Sequence, residues 1–162
     1  MFQADNPLYK DHVHSGWVDY NGHMNDAEYA RVFSIAAEHL IENIGINSQF
    51  REENAYSIYT LDVHICYLAE VYEGQAFRVT VQLLDHDGKR MHLFFVMEND
   101  KGKRLATCEQ MLMGIDMNER RSAPFPAEVK ARIEGIAKAH EQLPTPADAG
   151  RKIGIRKGAH FT

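Results

Sequence analysis

The sequence predicts an α+β fold in which an antiparallel β-sheet wraps around one long α-helix. Apolar residues recur at steps of three and four over residues 26–44, which indicates a helix that is covered on much of its circumference. Four later segments between residues 58 and 115 show strand patterns separated by turn residues. Such a sheet has one apolar face, and this helix is the only predicted element long and apolar enough to cover it.

Length, composition and charge limit the class of protein. The chain has 162 residues, so we expect residues 1–162 to form a single domain, with a core over about residues 10–116 and a C-terminal helix and tail over residues 123–162. The net charge of −5 argues against nucleic-acid binding. No apolar run approaches the roughly 18 residues of a membrane span, and the N-terminus does not resemble a signal peptide. Cys66 and Cys108 lack a metal or redox spacing, which favours a reduced, cytoplasmic setting without membrane contact.

A strand and a polar motif precede the long helix. Residues 10–18 fit a short first strand. Asn25 is a good N-cap for a helix over residues 26–44, and Glu28 completes a capping-box pattern. Gly45 is the natural stop of this helix.

The middle of the chain predicts a meander of four strands. A linker over residues 46–55 leads to a half-buried strand over residues 58–68, whose odd-numbered residues from Tyr59 to Tyr67 are apolar. Turn signals separate the later strands, as in the Asp-Gly pair at residues 87–88. These later strands are predicted over residues 77–83, 91–97 and 104–115.

Both ends of the chain are predicted to lie outside the core. Residues 1–10 show no periodicity and fit a loosely held arm. A proline-containing break at residues 123–126 starts a surface helix over about residues 127–142. The tail after Leu143 is rich in proline, glycine and basic residues, and we expect it to be flexible or to pack on a partner subunit.

The motif over residues 19–29 places acid–base side chains at the start of the helix. Asp19, Asn21, His23 and Asn25 fall at alternate positions around one glycine. A helix N-terminus presents free N–H groups and the positive end of the helix dipole, which both favour negative charge. A carboxylate, an imidazole and such a helix end together indicate a catalytic site, although Asp19 and Asn21 are also good turn formers.

The motif and the predicted architecture resemble the hotdog-fold thioesterases of the 4-hydroxybenzoyl-CoA thioesterase type. The run is also similar to the Asp-x-Asn-x-His-Val-Asn segment of the plant acyl-carrier-protein thioesterases, with Met24 at the valine position. The resemblance implies a hotdog fold, hydrolysis of an acyl-CoA thioester, and a homodimer or higher homo-oligomer whose sheets join edge to edge. The places of the family's aspartate, turn glycine, asparagine and helix tyrosine are taken by Asp19, Gly22, Asn25 and Tyr29.

Thioester hydrolysis defines the expected roles of these residues. Asp19 would be a general base for water or a nucleophile that forms a mixed anhydride, and Asn21 would orient the water or the carboxylate. His23 would assist proton transfer or hydrogen-bond the thioester, or else serve only in capping. Backbone N–H groups of residues 23–26 would hold the carbonyl oxygen, and no metal or cofactor is required. The expected substrate-binding residues are Trp17, Tyr20, Gly22, Met24 and Asn25.

A finer similarity is to the thioesterase-like domains associated with L-carnitine dehydrogenase in bacteria. It implies an acyl group that carries a betaine-like quaternary ammonium and a role in carnitine metabolism. Aromatic residues could supply a cage for such a cation, although such residues are more often ordinary core or interface aromatics. The candidates for the cage are Trp17, Tyr20, Tyr56 and Tyr59.

Two other functions compete with hydrolysis. Hotdog hydratases of acyl thioesters resemble Asp-x-Asn-Pro-x-His, but His23 lies four residues after Asp19 and Gly22 replaces the proline. A non-catalytic module that binds acyl thioesters is the second alternative.

His12 and His14 have a metal-like spacing, but no third ligand is evident, so a solvated strand face is expected there.

Overall fold

The structure, a computed structural model, describes residues 6–157. It contains an antiparallel sheet that covers one long helix, which confirms the predicted α+β class. Residues 1–5 and 158–162, which belong to the predicted arm and tail, lie outside the description. Within residues 6–157 no helix is long and apolar enough to cross a membrane. The elements are β1 Tyr9–His12, α1 Asp26–Asn43, α2 Ser48–Asn54, β2 Tyr56–Tyr67, β3 Ala76–His86, β4 Arg90–Glu98, β5 Arg104–Asp116, β6 Arg121–Ser122 and α3 Ala127–His140.

Helix α1 forms the centre of the core, as predicted. Its side chains at Val32, Phe33 and Ala36 are fully buried against the sheet. The helix starts after Asn25 and ends just before the predicted stop at Gly45. Burial of one face along the whole helix stabilises both layers, because each covers apolar surface that the other would expose.

The first strand is shorter than predicted. Strand β1 ends at His12, and residues 15–17 form a 3₁₀ turn in which Trp17 N–H donates to the carbonyl of His14 at 3.0 Å. Val13 lies just beyond the strand, where its N–H donates to the Gln75 carbonyl at 2.9 Å. The alternating pattern extends past His12, but this turn redirects the chain.

Strand β2 pairs with β5, which corrects the predicted four-strand meander. The sheet order is β1-β3-β4-β5-β2, with β6 added to β5. Strands β3, β4 and β5 form a true meander, because tight turns join them. The connection over residues 68–75 instead carries the chain across the sheet from β2 to β3.

A β-bulge in β2 exchanges the faces of the strand. The bulge lies between Thr60 and Asp62. Tyr56 and Ile58 are buried before it, whereas Ile65 packs against the core after it. The prediction of one continuous apolar face of odd-numbered residues is therefore wrong, because one extra residue shifts the alternation. Three apolar side chains around the bulge are exposed, namely Tyr59, Leu61 and Val63.

The predicted linker over residues 46–55 contains helix α2. Asn47 is its N-cap, and its side chain accepts the N–H of Phe50 at 2.9 Å. A helix of seven residues is too short to show a helical period in the sequence.

The C-terminal segment packs on the chain's own sheet. Helix α3 ends at His140, whose Nδ1 accepts the N–H of Leu83 at 3.0 Å. Further on, the Gly150 N–H donates to the Glu109 carboxylate at 2.6 Å. The expectation of a flexible or partner-bound tail is therefore wrong up to Gly150, while residues 151–157 are exposed.

Gly114→Ala is expected to lower the free energy of unfolding by about 1–3 kcal/mol, the usual cost of overpacking. A Cβ there would collide with the Tyr56 hydroxyl and come within 2.8 Å of the Ala123 carbonyl oxygen. Urea denaturation measures the change. Gly135→Ala in α3 is the control, because it has open space and should raise helix stability by about 0.5–1 kcal/mol. Equal stability of Gly114→Ala and the wild type would contradict this close packing.

Candidate active site

The motif turn, residues 19–24, is organised by the Asp19 carboxylate. Its Oδ1 accepts the backbone N–H of Asn21 at 2.8 Å and that of His23 at 3.2 Å. Gly22 occupies the position that requires a positive φ, of 77°. The turn chemistry considered from the sequence is therefore present. Oδ2 of Asp19 has no hydrogen-bond partner among residues 6–157, so one carboxylate oxygen stays available.

The motif turn is held against the 68–75 connection. Met24 N–H donates to the Val71 carbonyl at 2.7 Å, and both residues are buried. His23 forms an isolated β-bridge with Tyr72. These contacts bring the start of α1 next to a segment that is distant in sequence.

The start of α1 leaves one backbone N–H for a ligand. The N–H groups of His23, Met24 and Asn25 donate to Asp19, Val71 and Trp17 respectively. Three of the four N–H groups in the segment expected to hold the carbonyl oxygen are thus engaged within the chain. Of these four amides, only that of Asp26 has no acceptor among the described residues.

Asn25 is the N-cap of α1, as predicted. Its Oδ1 accepts the Ala27 N–H at 3.0 Å. The predicted capping box does not form, because the Glu28 side chain pairs with Arg31 at 2.7 Å and Asn25 N–H donates to Trp17. This places Asn25 in a structural role at the helix start.

A cleft of about 320 Å³ opens beside the first turn of α1. The rings of Tyr29 and Tyr67 meet edge to face with centroids 5.1 Å apart. Their hydroxyls donate to backbone carbonyls of residues at the cleft, Tyr67 to Asp26 at 3.3 Å and Tyr29 to Ala69 at 3.4 Å. Burial raises the pKa of both phenols, so they are neutral at physiological pH. The lining residues are His23, Met24, Asp26, Tyr29, Tyr67, Leu68, Ala69, Glu70 and Val71.

Glu70 is a residue of this site that the sequence did not indicate. Its Oε2 accepts the Tyr72 hydroxyl at 3.1 Å and lies 3.5 Å from Nε2 of His23. The hydrogen bond to Glu70 raises the pKa of Tyr72. Glu70 lies in an irregular connection without periodicity, and only the docking of the motif turn brings it to His23.

The structure brings some predicted site residues together and separates others. His23 and Met24 line the cleft, whereas Asp19 and Asn21 lie in the adjacent turn and are not among its lining residues. Tyr20 points to solvent and is 97% exposed. Gly22 adopts the positive φ that the motif turn requires.

The aromatic residues considered for a cation cage do not come together within one chain. Trp17 stacks on His14 with ring centroids 4.2 Å apart. Tyr56 is buried and donates to the Ala123 carbonyl at 3.1 Å, and Tyr59 donates to the Met117 sulfur at 3.3 Å. Trp17, Tyr56 and Tyr59 are thus engaged in different parts of the fold, and Tyr20 is exposed to solvent.

Two other clusters lie away from the cleft. The side chains of Asp11, His12 and His14 bring three potential metal-ligand atoms within 4.8 Å of one another. Asp11 is therefore the third potential ligand, which was not evident from the sequence. A larger depression of about 660 Å³ lies over β2, β4 and β5, where Nε2 of His92 lies 2.9 Å from a carboxylate oxygen of Glu109. No residue of the motif turn lines this depression.

Comparisons with known proteins agree on one family. The thioesterase-like superfamily matches residues 13–133. A betainyl-CoA thioesterase from Pseudomonas aeruginosa is 45% identical over 91% of this chain and 93% of that protein. An L-carnitine dehydrogenase/betainyl-CoA thioesterase from Rhizobium meliloti is 39% identical over 90% of this chain, which spans only 29% of that protein. A hypothetical protein from Staphylococcus aureus, solved in complex with CoA, has a TM-score of 0.89 at 34% identity over 96% of this chain and 98% of that chain.

The curled sheet around α1 is therefore the hotdog fold, as the resemblance implied. The chain belongs to the thioesterase-like superfamily. It is an acyl-CoA thioesterase, an enzyme that hydrolyses a thioester.

Asn25→Ala is expected to lower the free energy of unfolding by about 1 kcal/mol, because the Ala27 N–H loses the side-chain acceptor of the N-cap. Chemical denaturation measures the change. Asn25→Ser keeps an acceptor oxygen and should stay close to the wild type. A wild-type value for Asn25→Ala would show that this cap does not stabilise α1.

Proposed function

We propose that the chain hydrolyses betainyl-CoA, whose short acyl group carries a quaternary ammonium, in carnitine degradation. The observation that carries this proposal is the 45% identity to a betainyl-CoA thioesterase over nearly the full length of both proteins. The fused relative supports it, because there the matching region is joined to an L-carnitine dehydrogenase. The small cleft at the start of α1 suits a short acyl group.

The free N–H of Asp26 is the proposed donor to the thioester carbonyl. It lies at the N-terminus of α1, where the helix dipole also favours negative charge. The negative charge on this oxygen grows as the tetrahedral intermediate forms, so the donor acts mainly in the transition state. One such donor contributes about 3 kcal/mol in comparable sites.

Asp19 is the proposed base or nucleophile. Two backbone N–H groups hold its Oδ1, which orients the carboxylate and leaves Oδ2 for chemistry. As a base, Asp19 takes a proton from water while the water oxygen bonds to the carbonyl carbon. The tetrahedral intermediate then breaks its C–S bond, and CoA leaves as a thiolate that takes up the proton held by Asp19. As a nucleophile, the Asp19 carboxylate bonds to the carbonyl carbon, and the C–S bond breaks with release of the CoA thiolate. Water then hydrolyses the resulting mixed anhydride to the free acid and restores the carboxylate.

Asn21 and His23 complete the proposed site. Asn21 is exposed next to Asp19 and is proposed to orient the attacking water. His23 lines the cleft, and its contact with Glu70 gives the ring a defined orientation for proton transfer toward the leaving group.

We further propose that residues 1–162 act as one domain in the cytoplasm.

We also propose that the chain assembles as a homodimer through strand β2. This strand lies at an edge of the sheet, where its unpaired backbone groups favour a second strand. Its exposed apolar side chains favour the same contact, with Tyr59, Leu61 and Val63 exposed by 45%, 51% and 46%. Tyr67, at the end of β2, lines the cleft, so pairing of β2 with its copy would bring the partner close to the active site.

Asp19→Asn is expected to lower kcat/KM for betainyl-CoA by roughly 10²–10⁴-fold, because the amide neither accepts a proton nor attacks the carbonyl. Release of free thiol measures the rate. Asp100→Asn, in the exposed turn before β5, is the control for loss of one carboxylate and should retain wild-type activity. Full turnover by a folded Asp19→Asn enzyme would exclude Asp19 as base or nucleophile.

Leu61→Lys is expected to raise the dissociation constant of the dimer at least about tenfold, since a lysine would be brought into an apolar strand pairing. Sedimentation equilibrium measures it against the chain mass of 18.5 kDa. Ile155→Lys makes the same change at an exposed isoleucine of the tail and should leave the dimer intact. A wild-type protein that stays at the mass of one chain, or a Leu61→Lys variant that associates as well as the wild type, would contradict the proposed interface.

A further inference from the structure

We propose that Glu70 is the specificity-determining residue that recognises a positive charge next to the thioester carbonyl. This inference rests on the proposed betainyl-CoA substrate. The ligand class is an acyl-CoA with a quaternary ammonium on the carbon adjacent to the carbonyl.

The covalent structure of such a substrate restricts where its cation lies. One methylene separates the nitrogen from the carbonyl carbon. A carbonyl oxygen bound at the Asp26 N–H therefore keeps the trimethylammonium group within the cleft beside the first turn of α1. The groups that recognise the cation must belong to this cleft, and Tyr56 and Tyr59 do not line it.

Two tyrosines give the cleft walls that suit an alkylated cation. The rings of Tyr29 and Tyr67 border the cleft, and their hydroxyls are tied to the backbone carbonyls of Ala69 and Asp26. Neutral aromatic rings attract cations through the negative potential of their faces. Methyl groups on the nitrogen also favour contact with apolar ring surface over water.

Glu70 supplies the negative charge. Tyr72 and His23 approach its Oε2 and orient the carboxylate, while Oε1 has no partner among residues 6–157. Its side chain is 67% exposed in the single chain, so a ligand reaches it without displacing the core.

The other carboxylate of the cleft is already engaged. Asp26 directs its Oδ1 to the Ala27 N–H at 3.0 Å, within the first turn of α1. None of the described residues that line the cleft is a lysine or arginine. Glu70 is thus the acidic group best placed to distinguish a cationic acyl group from a neutral one of the same shape.

The test compares two substrates that differ by one atom. Betainyl-CoA and 3,3-dimethylbutanoyl-CoA have the same shape, because a carbon replaces the nitrogen in the second. Glu70→Gln is expected to lower the ratio of kcat/KM for betainyl-CoA over the neutral ester by about tenfold, because the amide no longer attracts the cation. Loss of the Glu70 contact to His23 acts on both esters and therefore cancels in this ratio. Glu70→Asp keeps the charge and should recover part of the ratio.

A matched control separates local recognition from general charge effects. Glu73→Gln removes the same charge from an exposed residue of the 68–75 connection that does not line the cleft, and it should keep the wild-type ratio. Circular dichroism of each variant checks that the fold is retained.

The possible outcomes distinguish this inference from the proposed substrate. If the wild type prefers betainyl-CoA and Glu70→Gln keeps that preference, or loses both activities equally, Glu70 is not the charge-recognition residue. If the wild type hydrolyses the neutral ester but not betainyl-CoA, the proposed substrate is wrong, and the role of Glu70 fails with it. A selective loss of betainyl-CoA hydrolysis in Glu70→Gln alone supports both.

Discussion

The active site depends on one hydrogen bond that joins the motif turn to the connection after β2. Met24 N–H donates to the Val71 carbonyl at 2.7 Å, between two buried residues. Water does not compete readily for a buried pair, so the two segments stay in register. This contact positions the N-terminus of α1 and places His23 beside Glu70. His23 and Glu70, from separate parts of the chain, therefore line one cleft.

The contact between the motif turn and the 68–75 connection also limits how many N–H groups at the start of α1 are available to a ligand. An α-helix begins with several unsatisfied N–H groups, which would give an anion many places to bind. Here Asn25 caps the helix, and the amides before it are engaged by the motif turn and its neighbours. Of the amides of residues 23–26, only that of Asp26 then remains as the proposed donor to the carbonyl oxygen. Tyr29 and Tyr67 line the cleft beside it.

The two faces and the edge of the sheet have different environments. Helix α1 covers one face, and the segment near Gly150 contacts the other through Glu109. Strand β2 remains at the edge with exposed apolar side chains near its bulge. Apolar side chains and unpaired backbone groups coincide at this edge, and the cleft lies next to its end at Tyr67.

Local patterns in the sequence determined the main elements and the nature of the motif. The helical period over residues 26–44, the cap at Asn25 and the turn around Gly22 depend on neighbouring residues only, so they were predictable. Only the tertiary structure decided the pairing of β2 with β5, its bulge, the separation of the aromatic residues and the position of Glu70 beside His23. These features arise from contacts between residues distant in the chain, which leave no periodic signal in a single sequence. The reason is physical: local hydrogen bonding selects the elements, whereas burial of their apolar faces selects how they meet.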